Sequence, residues 1–340
     1  MFLTLPLIIT MIYLIENPKN DFAFRTYLTF ISIVFPVILM GLDLAKSQSI
    51  DRLYRVLFFV FIIVTLGSIR LIPELISTTL WKLGGVFAGG NTQALSYVIS
   101  FVYMVGLITF IDSIKTKKSW YFKLTILVSL MVLFFTAILA SGRGAFLVIL
   151  ISSVIFILRE YKKKSLLKFI PIIVSIYFMY YFLVYSLGER FEDSIGRIFA
   201  YINSSGIDMS GTSNRDLFYM QALDLFYENM FFGTGIFKLM QSIGYSHNIF
   251  LDILLQGGFF FMMLFIFFIY SFFKKLKKIL KHDSKNNLIL IFVIYSFILL
   301  LFTSIYLNES FFWFSMAYVF SYSFRPQMIN GDIEMSKSST

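Results

Sequence analysis

The chain is an almost unbroken succession of apolar runs separated by short charged clusters. A bilayer hydrocarbon core about 30 Å thick takes roughly 20 apolar residues per helical span, and most of these runs approach or reach that length. With 58% hydrophobic and 14% charged residues over 340 positions, too little polar surface is left to cover water-soluble domains. A disordered chain, a nucleic-acid module and a secreted disulfide scaffold are excluded. The absence of cysteine rules out disulfides, thiolate metal sites and a cysteine nucleophile, and two histidines leave little for a metal centre.

The runs carry no polar alternation, so they read as helices rather than barrel strands. The expected fold class is an all-α polytopic integral membrane protein, one transmembrane domain over residues 1–340. Ten spans are expected. They are Met1 to Ile15, Phe24 to Leu42, Val56 to Ile72, Ala94 to Ile111, Leu124 to Ala140, Ala145 to Leu158, Phe169 to Leu187, Asn248 to Phe272, Leu288 to Leu307 and Phe311 to Phe324. The first lacks a basic leader and a small-residue cleavage site, and is expected to stay as an anchor.

The net charge of +10 resembles that of a phosphate binder, but its distribution records topology. Of 29 Lys and Arg, 20 fall on alternate connections, including Lys46 to Arg55, Lys115 to Lys123, Arg159 to Lys168 and Lys274 to Lys285. By the positive-inside rule that side is cytoplasmic, with both termini. The long connection Gly188 to His247 then lies outside, with Leu83 to Gln93 and the turn Ser141 to Gly144. Connections this long carry function or are disordered. Thr212 and Ser213 offer N-caps, and Leu217 to Phe226 gives an amphipathic helical run ending near Asn229.

Three residues on the outer side carry possible chemistry. Arg215 lies in the first turn of that helix, where a cation opposes the macrodipole and a phosphate would suit the exposed N–H groups. Arg143 stands between two glycines at a break between apolar runs, a place explained equally by a site or by a tight interhelical turn. His247, in Tyr245-Ser246-His247-Asn248, has the side chain whose ordinary pKa best suits proton transfer near neutrality; otherwise it is an interfacial residue without a role. The other histidine, His282, sits among lysines and reads as solvated surface.

In their order these segments resemble the O-antigen polymerase and O-antigen ligase superfamily of bacterial inner-membrane glycosyltransferases. The resemblance rests on Gly84 to Asn91, Ser141 to Gly144, Asn214 to Tyr219, Phe231 to Phe237, and Ser246 to Gly258. It implies a GT-C-like helical fold, eleven or twelve spans rather than ten, and no metal or other cofactor. It also implies undecaprenyl-pyrophosphate-linked glycans as donor and acceptor at the outer face of the inner membrane. Gln256 departs from the family by standing where many relatives have an acid, and the early segment lacks the usual Pro-Asn pair.

Carried onto this sequence, His247 becomes the general base, and Arg143 and Arg215 hold the leaving pyrophosphate. Arg190, Arg197 and Arg70 are further candidates for phosphate, and Asn248 and Tyr245 for substrate binding. Direct displacement by an acceptor hydroxyl inverts the anomeric centre. The expected partners are these lipid-linked glycans, membrane lipid and a chain-length regulator protein, with no nucleic acid. Polymerisation is the favoured reaction, for lack of features tied to lipid A core recognition; ligation to that core is the alternative. A lipid-linked oligosaccharide flippase is the other class, but no paired repeat or midplane ionisable cluster supports it.

Overall fold

In the computed structural model, the described residues are 2–47, 49–77, 92–140, 143–160, 215–282, 286–302 and 304–324, with isolated positions between 181 and 207. Their regular structure is helical apart from a two-residue antiparallel ladder pairing Ile202 with Ile207 and Asn203 with Gly206. The helices are α1 (Leu5–Glu16), α2 (Asp21–Ser47), α3 (Ile50–Ser77), α4 (Thr92–Lys115), α5 (Trp120–Leu139) and α6 (Arg143–Glu160). They continue with α7 (Arg215–Glu228), α8 (Ile236–Ser242), α9 (Ile249–His282), α10 (Asn287–Phe302) and α11 (Ser310–Ser321).

Five helices, α2, α3, α4, α5 and α9, are long and apolar enough to cross a membrane, and four shorter apolar helices accompany them. This is an all-α polytopic membrane protein. The seventh expected span, Phe169 to Leu187, lies outside the described residues except for Tyr181 and Tyr185. The bundle exposes apolar surface that a soluble protein would cover. On α3, Val56, Phe59, Ile63 and Leu66 form an exposed apolar stripe while Thr65 and Ser68 are buried. Buried Ser100, Thr109, Thr136, Ser152 and Ser296 repeat the pattern, as expected where small residues let membrane helices approach. One cross-link is direct: the Tyr54 hydroxyl donates to Thr109 Oγ1 at 2.9 Å, tying α3 to α4.

The centre of the bundle is α10, from Asn287 to Leu300 buried on nearly every side, which explains its uniformly apolar sequence. Against it pack α4, α6 and α11, and α11 in turn lies along α2. At Gly41 the backbones of α2 and α11 come so close that a Cβ would stand 2.8 Å from the Phe314 carbonyl oxygen. Helices α2, α4, α6 and α9 end on Lys46, Lys115, Arg159 and Lys281, where a cation meets the negative end of the helix dipole. Arg159 also donates to the Leu280 carbonyl, and Lys275 to the Phe320 carbonyl at 2.7 Å. These basic helix termini gather at one end of the bundle; His247 is at the other.

Two expected spans are corrected. The 34 residues of α9 measure about 51 Å at 1.5 Å per residue, too long for one crossing. The helix is broken at Gly258, whose φ of 66° and ψ of −166° belong to glycine alone. The expected span from Asn248 is therefore a short arm, Ile249 to Gly257, followed by a crossing helix from Phe259. The ninth span ends at Phe302 rather than Leu307. Ile305, Tyr306 and Leu307 are apolar because they are buried in a returning turn, a distinction that hydropathy does not carry.

At the break, Thr234 N–H donates to the Leu255 carbonyl at 2.8 Å and Gly235 N–H to the Gln256 carbonyl at 2.9 Å. Phe259 N–H, the first donor of the new helix, reaches the Met230 carbonyl at 2.9 Å. A Cβ at Gly258 would collide with the Phe231 backbone. Gly258→Ala is therefore expected to destabilise the protein by about 1–3 kcal/mol, from the conformation alone, read as a lowered melting temperature in detergent.

Candidate functional site

The end of the bundle opposite the basic helix termini is built on a turn, Tyr245 to Asn248, entering the short arm of α9. Asn248 caps that arm: its Oδ1 accepts from Phe250 N at 3.0 Å and Leu251 N at 3.3 Å. Ser246 Oγ donates to the Asn248 carbonyl at 3.0 Å. Asp252, one turn into the arm and fully buried, accepts from Ser246 N at 2.7 Å through Oδ1. Its Oδ2 is buried with no hydrogen-bond partner among the described residues. Held on both sides, His247 takes a left-handed φ of 59°. Its ring lies 4.1 Å from that of Tyr245, which stacks on Phe22 at 5.9 Å.

Phe22 belongs to the start of α2, so the N-terminal hairpin is part of this site. Glu16, the last residue of α1, accepts from Ile236 N at 2.9 Å through Oε1, and from Phe237 N at 2.7 Å and Lys238 N at 2.8 Å through Oε2. One carboxylate thus satisfies three of the four unpaired N–H groups in the first turn of α8 and opposes its dipole. Lys19 N donates to Gln241 Oε1 at 3.3 Å, and Tyr13 meets Phe237 edge-on at 5.1 Å. Between the hairpin, α8 and the turn lies a cavity of about 360 Å³, with His247, Tyr245, Phe22, Asn20 and Gln241 in its wall.

Deeper in the bundle a second buried polar group lies under the arm. The Tyr306 hydroxyl donates to Gln256 Oε1 at 2.7 Å, and Trp313 Nε1 donates to the Tyr306 carbonyl. Burial, with the Asp252 and Glu16 carboxylates adding to it, pushes the Tyr306 phenol far above its usual range and keeps it a donor. Glu309, in the turn before α11, accepts from Ser304 Oγ at 3.2 Å, and burial raises its carboxyl to about 7. Beside Tyr306 begins an apolar groove of about 910 Å³, running past Ile253 and Phe265 on α9 and Trp313 on α11 towards Lys46 on α2.

The expected site residues are distributed unevenly over this architecture. His247, Asn248 and Tyr245 come together in the turn. Arg143 and Arg215 are the first residues of α6 and α7. Arg70 is exposed on α3, and Arg190 and Arg197 lie outside the described residues. Helix α7 stands where the outer-loop pattern placed it. Its Ala222, Leu225 and Phe226 pack on Leu239 and Leu255, while Met220, Leu223 and Tyr227 stay exposed.

Residues 126–266 match the family model described as O-antigen ligase. That stretch, under half of the chain, is similar to the O-antigen ligase family. It takes in Arg143, Arg215, His247 and the Gly258 break, and stops short of Glu16, Asn20 and Phe22 on one side and Tyr306 and Glu309 on the other. No curated protein and no solved structure matches the chain. The match supports an activity of the O-antigen ligase and polymerase type in general.

Sequence reasoning missed Glu16, Asp252 and Glu309 as supports of this site. Each left a signal, as a lone carboxylate at the edge of or inside an apolar run. Glu16→Ala is expected to raise hydrogen exchange at Ile236, Phe237 and Lys238 by about tenfold or more, since hydrogen bonds to a charged group contribute about 1.5–3 kcal/mol.

Glu309 adds a pH dependence whose sign is fixed. Its folded pKa of about 7 lies above the ordinary 4.5, so the fold favours the protonated acid. That contribution is complete below pH 4.5 and is lost as pH rises through 7. It amounts to up to about 3 kcal/mol at 1.36 kcal/mol per unit. Melting temperature is expected to fall between pH 5 and 8 in the wild type, and Glu309→Gln to remove that part of the slope.

Proposed function

We propose that this protein is a glycosyltransferase that polymerises undecaprenyl-pyrophosphate-linked oligosaccharide repeat units at the outer face of the cytoplasmic membrane, as in O-antigen, capsule or exopolysaccharide synthesis. The observation that carries the reading is the placement of His247. It is held in a fixed left-handed turn at the wall of a cavity, inside the stretch that matches the O-antigen ligase family. Both termini are cytoplasmic in this reading, with the basic helix ends inside and His247 outside.

In the reaction, an acceptor hydroxyl attacks the anomeric carbon of the donor. The bond from that carbon to the pyrophosphate oxygen breaks, its electron pair leaves on the oxygen, and His247 takes the hydroxyl proton. A positioned general base contributes about 10²- to 10⁴-fold in rate. Arg143 and Arg215 neutralise the leaving group without a metal ion. Each is the first residue of a helix, and a guanidinium stays charged and can grip phosphate oxygens bidentately. Arg190, Arg197 and Arg70 remain further candidates for phosphate. The apolar groove that runs from Tyr306 towards Lys46 offers room for an isoprenoid tail. Single displacement inverts the anomeric configuration.

Ligation to a lipid A core is the second reading, favoured by the description of the matched family. Donor and chemistry are shared; only the acceptor differs. The test incubates purified protein with a lipid-linked repeat unit, with and without lipid A core. A ladder of longer lipid-linked glycans supports polymerisation; a single transfer that requires the core supports ligation. His247→Ala is expected to lower the rate by about 10²-fold or more, and Arg143→Lys and Arg215→Lys to lose most activity, because an ammonium cannot form the bidentate fork. An undiminished rate in His247→Ala removes the proposed base.

A further inference from the structure

Resting on the glycosyltransferase reading, we propose that the cavity beside His247 is the subsite for a neutral sugar ring of the acceptor, and that the α1–α2 connection selects that sugar. At about 360 Å³ the cavity falls within the range of small-molecule sites, roughly 300–1,000 Å³. Among the described residues its wall includes Asn20, Phe22, Gln241, Ser242, Tyr245 and His247, and no lysine, arginine or carboxylate. These groups are hydrogen-bonding and aromatic rather than the cations that a pyrophosphate calls for. A ligand rich in hydroxyls and carrying no charge suits them.

The detailed chemistry sharpens the fit. Asn20 uses Oδ1 to accept from Phe22 N at 2.6 Å, and Gln241 uses Oε1 to accept from Lys19 N at 3.3 Å. Each carboxamide keeps its NH₂ group for a ligand, a donor to hydroxyl oxygens. Phe22 and Tyr245, stacked with an interplanar angle of 19°, bring aromatic surface for the apolar face of a pyranose. The Tyr245 ring carries the contact on to His247, at 4.1 Å. A sugar bound on the amides therefore presents its hydroxyl rim beside the base.

Two of these residues, Asn20 and Phe22, lie outside residues 126–266, the stretch matched by the O-antigen ligase family. The proton-accepting residue comes from that stretch, and the opposing wall from the N-terminal hairpin clamped to it by Glu16. Acceptor choice can then vary by changes at 20 and 22 without disturbing the turn that holds His247.

The test separates this assignment from the catalytic reading. The probe is the lipid-free repeat oligosaccharide, released by mild acid from the lipid-linked pool of a producing strain. Its binding to the purified full-length protein in detergent is followed by saturation-transfer NMR, and its use as acceptor is assayed with a lipid-linked donor. Asn20→Asp and Gln241→Glu keep the oxygens that hold Phe22 N and Lys19 N but delete the NH₂ donors. Each is expected to weaken oligosaccharide binding and raise the acceptor KM by about fivefold to tenfold, the value of a lost neutral hydrogen bond, with the donor KM within about twofold. Melting temperature checks that both variants fold. Binding that depends on Asn20 and Gln241, in a wild type that transfers nothing, supports the subsite and sinks the transferase reading. Transfer whose acceptor KM is unmoved in both variants, or a wild type that does not bind the oligosaccharide, overturns the subsite.

Discussion

Backbone polar groups near a bilayer must find partners within the protein, because no water is there to replace them. The break in α9 at Gly258 is where this constraint is most acute, and the chain meets it with a strip from Met230 to Gly235. Carbonyls released at the end of the short arm are taken by Thr234 and Gly235, and the first N–H of the crossing helix by the Met230 carbonyl. Only a glycine can stand at the corner, since both its φ and the nearness of Phe231 exclude a Cβ. The arm that results points back into the site end of the bundle. His247 owes its position to that redirection.

A second layer of support comes from carboxylates spent on main-chain donors. Asp252 fixes Ser246 from beneath, and Glu16 fixes the first turn of α8 from the side. Hydrogen bonds to charged acceptors are stronger than neutral ones, and here they hold short, irregular segments that bury too little surface to be rigid alone. Glu309 differs, since its burial favours the protonated acid and makes it a donor-capable group in the turn before α11. The site end is thus a polar scaffold on an apolar bundle whose other end is basic.

How much of this was legible beforehand depended on the range of the interaction. The apolar runs gave helices α1 to α6 and α11 within a few residues, because side-chain hydropathy is local. The amphipathic pattern after Ser213 located α7, and the Ser-His-Asn sequence located the turn. The start of the eighth span was misplaced because Ile249 to Leu255 is as apolar as a crossing segment while lying against α8. The end of the ninth was misplaced because Ile305 to Leu307 are buried by protein rather than by lipid. Hydropathy records that a residue avoids water, and is silent on what replaces it.

The sequence by itself determined that this is a polytopic helical membrane protein and that most of its basic residues fall on alternate connections between apolar runs. These follow from composition, spacing and order along the chain. Only the tertiary structure decided that Glu16 clamps a helix lying 220 residues further on, that Asn20 and Phe22 face His247 across a cavity, and that α9 is two helices. The physical reason is that such contacts are made by directional hydrogen bonds and close packing between segments remote in sequence. They depend on where helices end in space, which no local preference records.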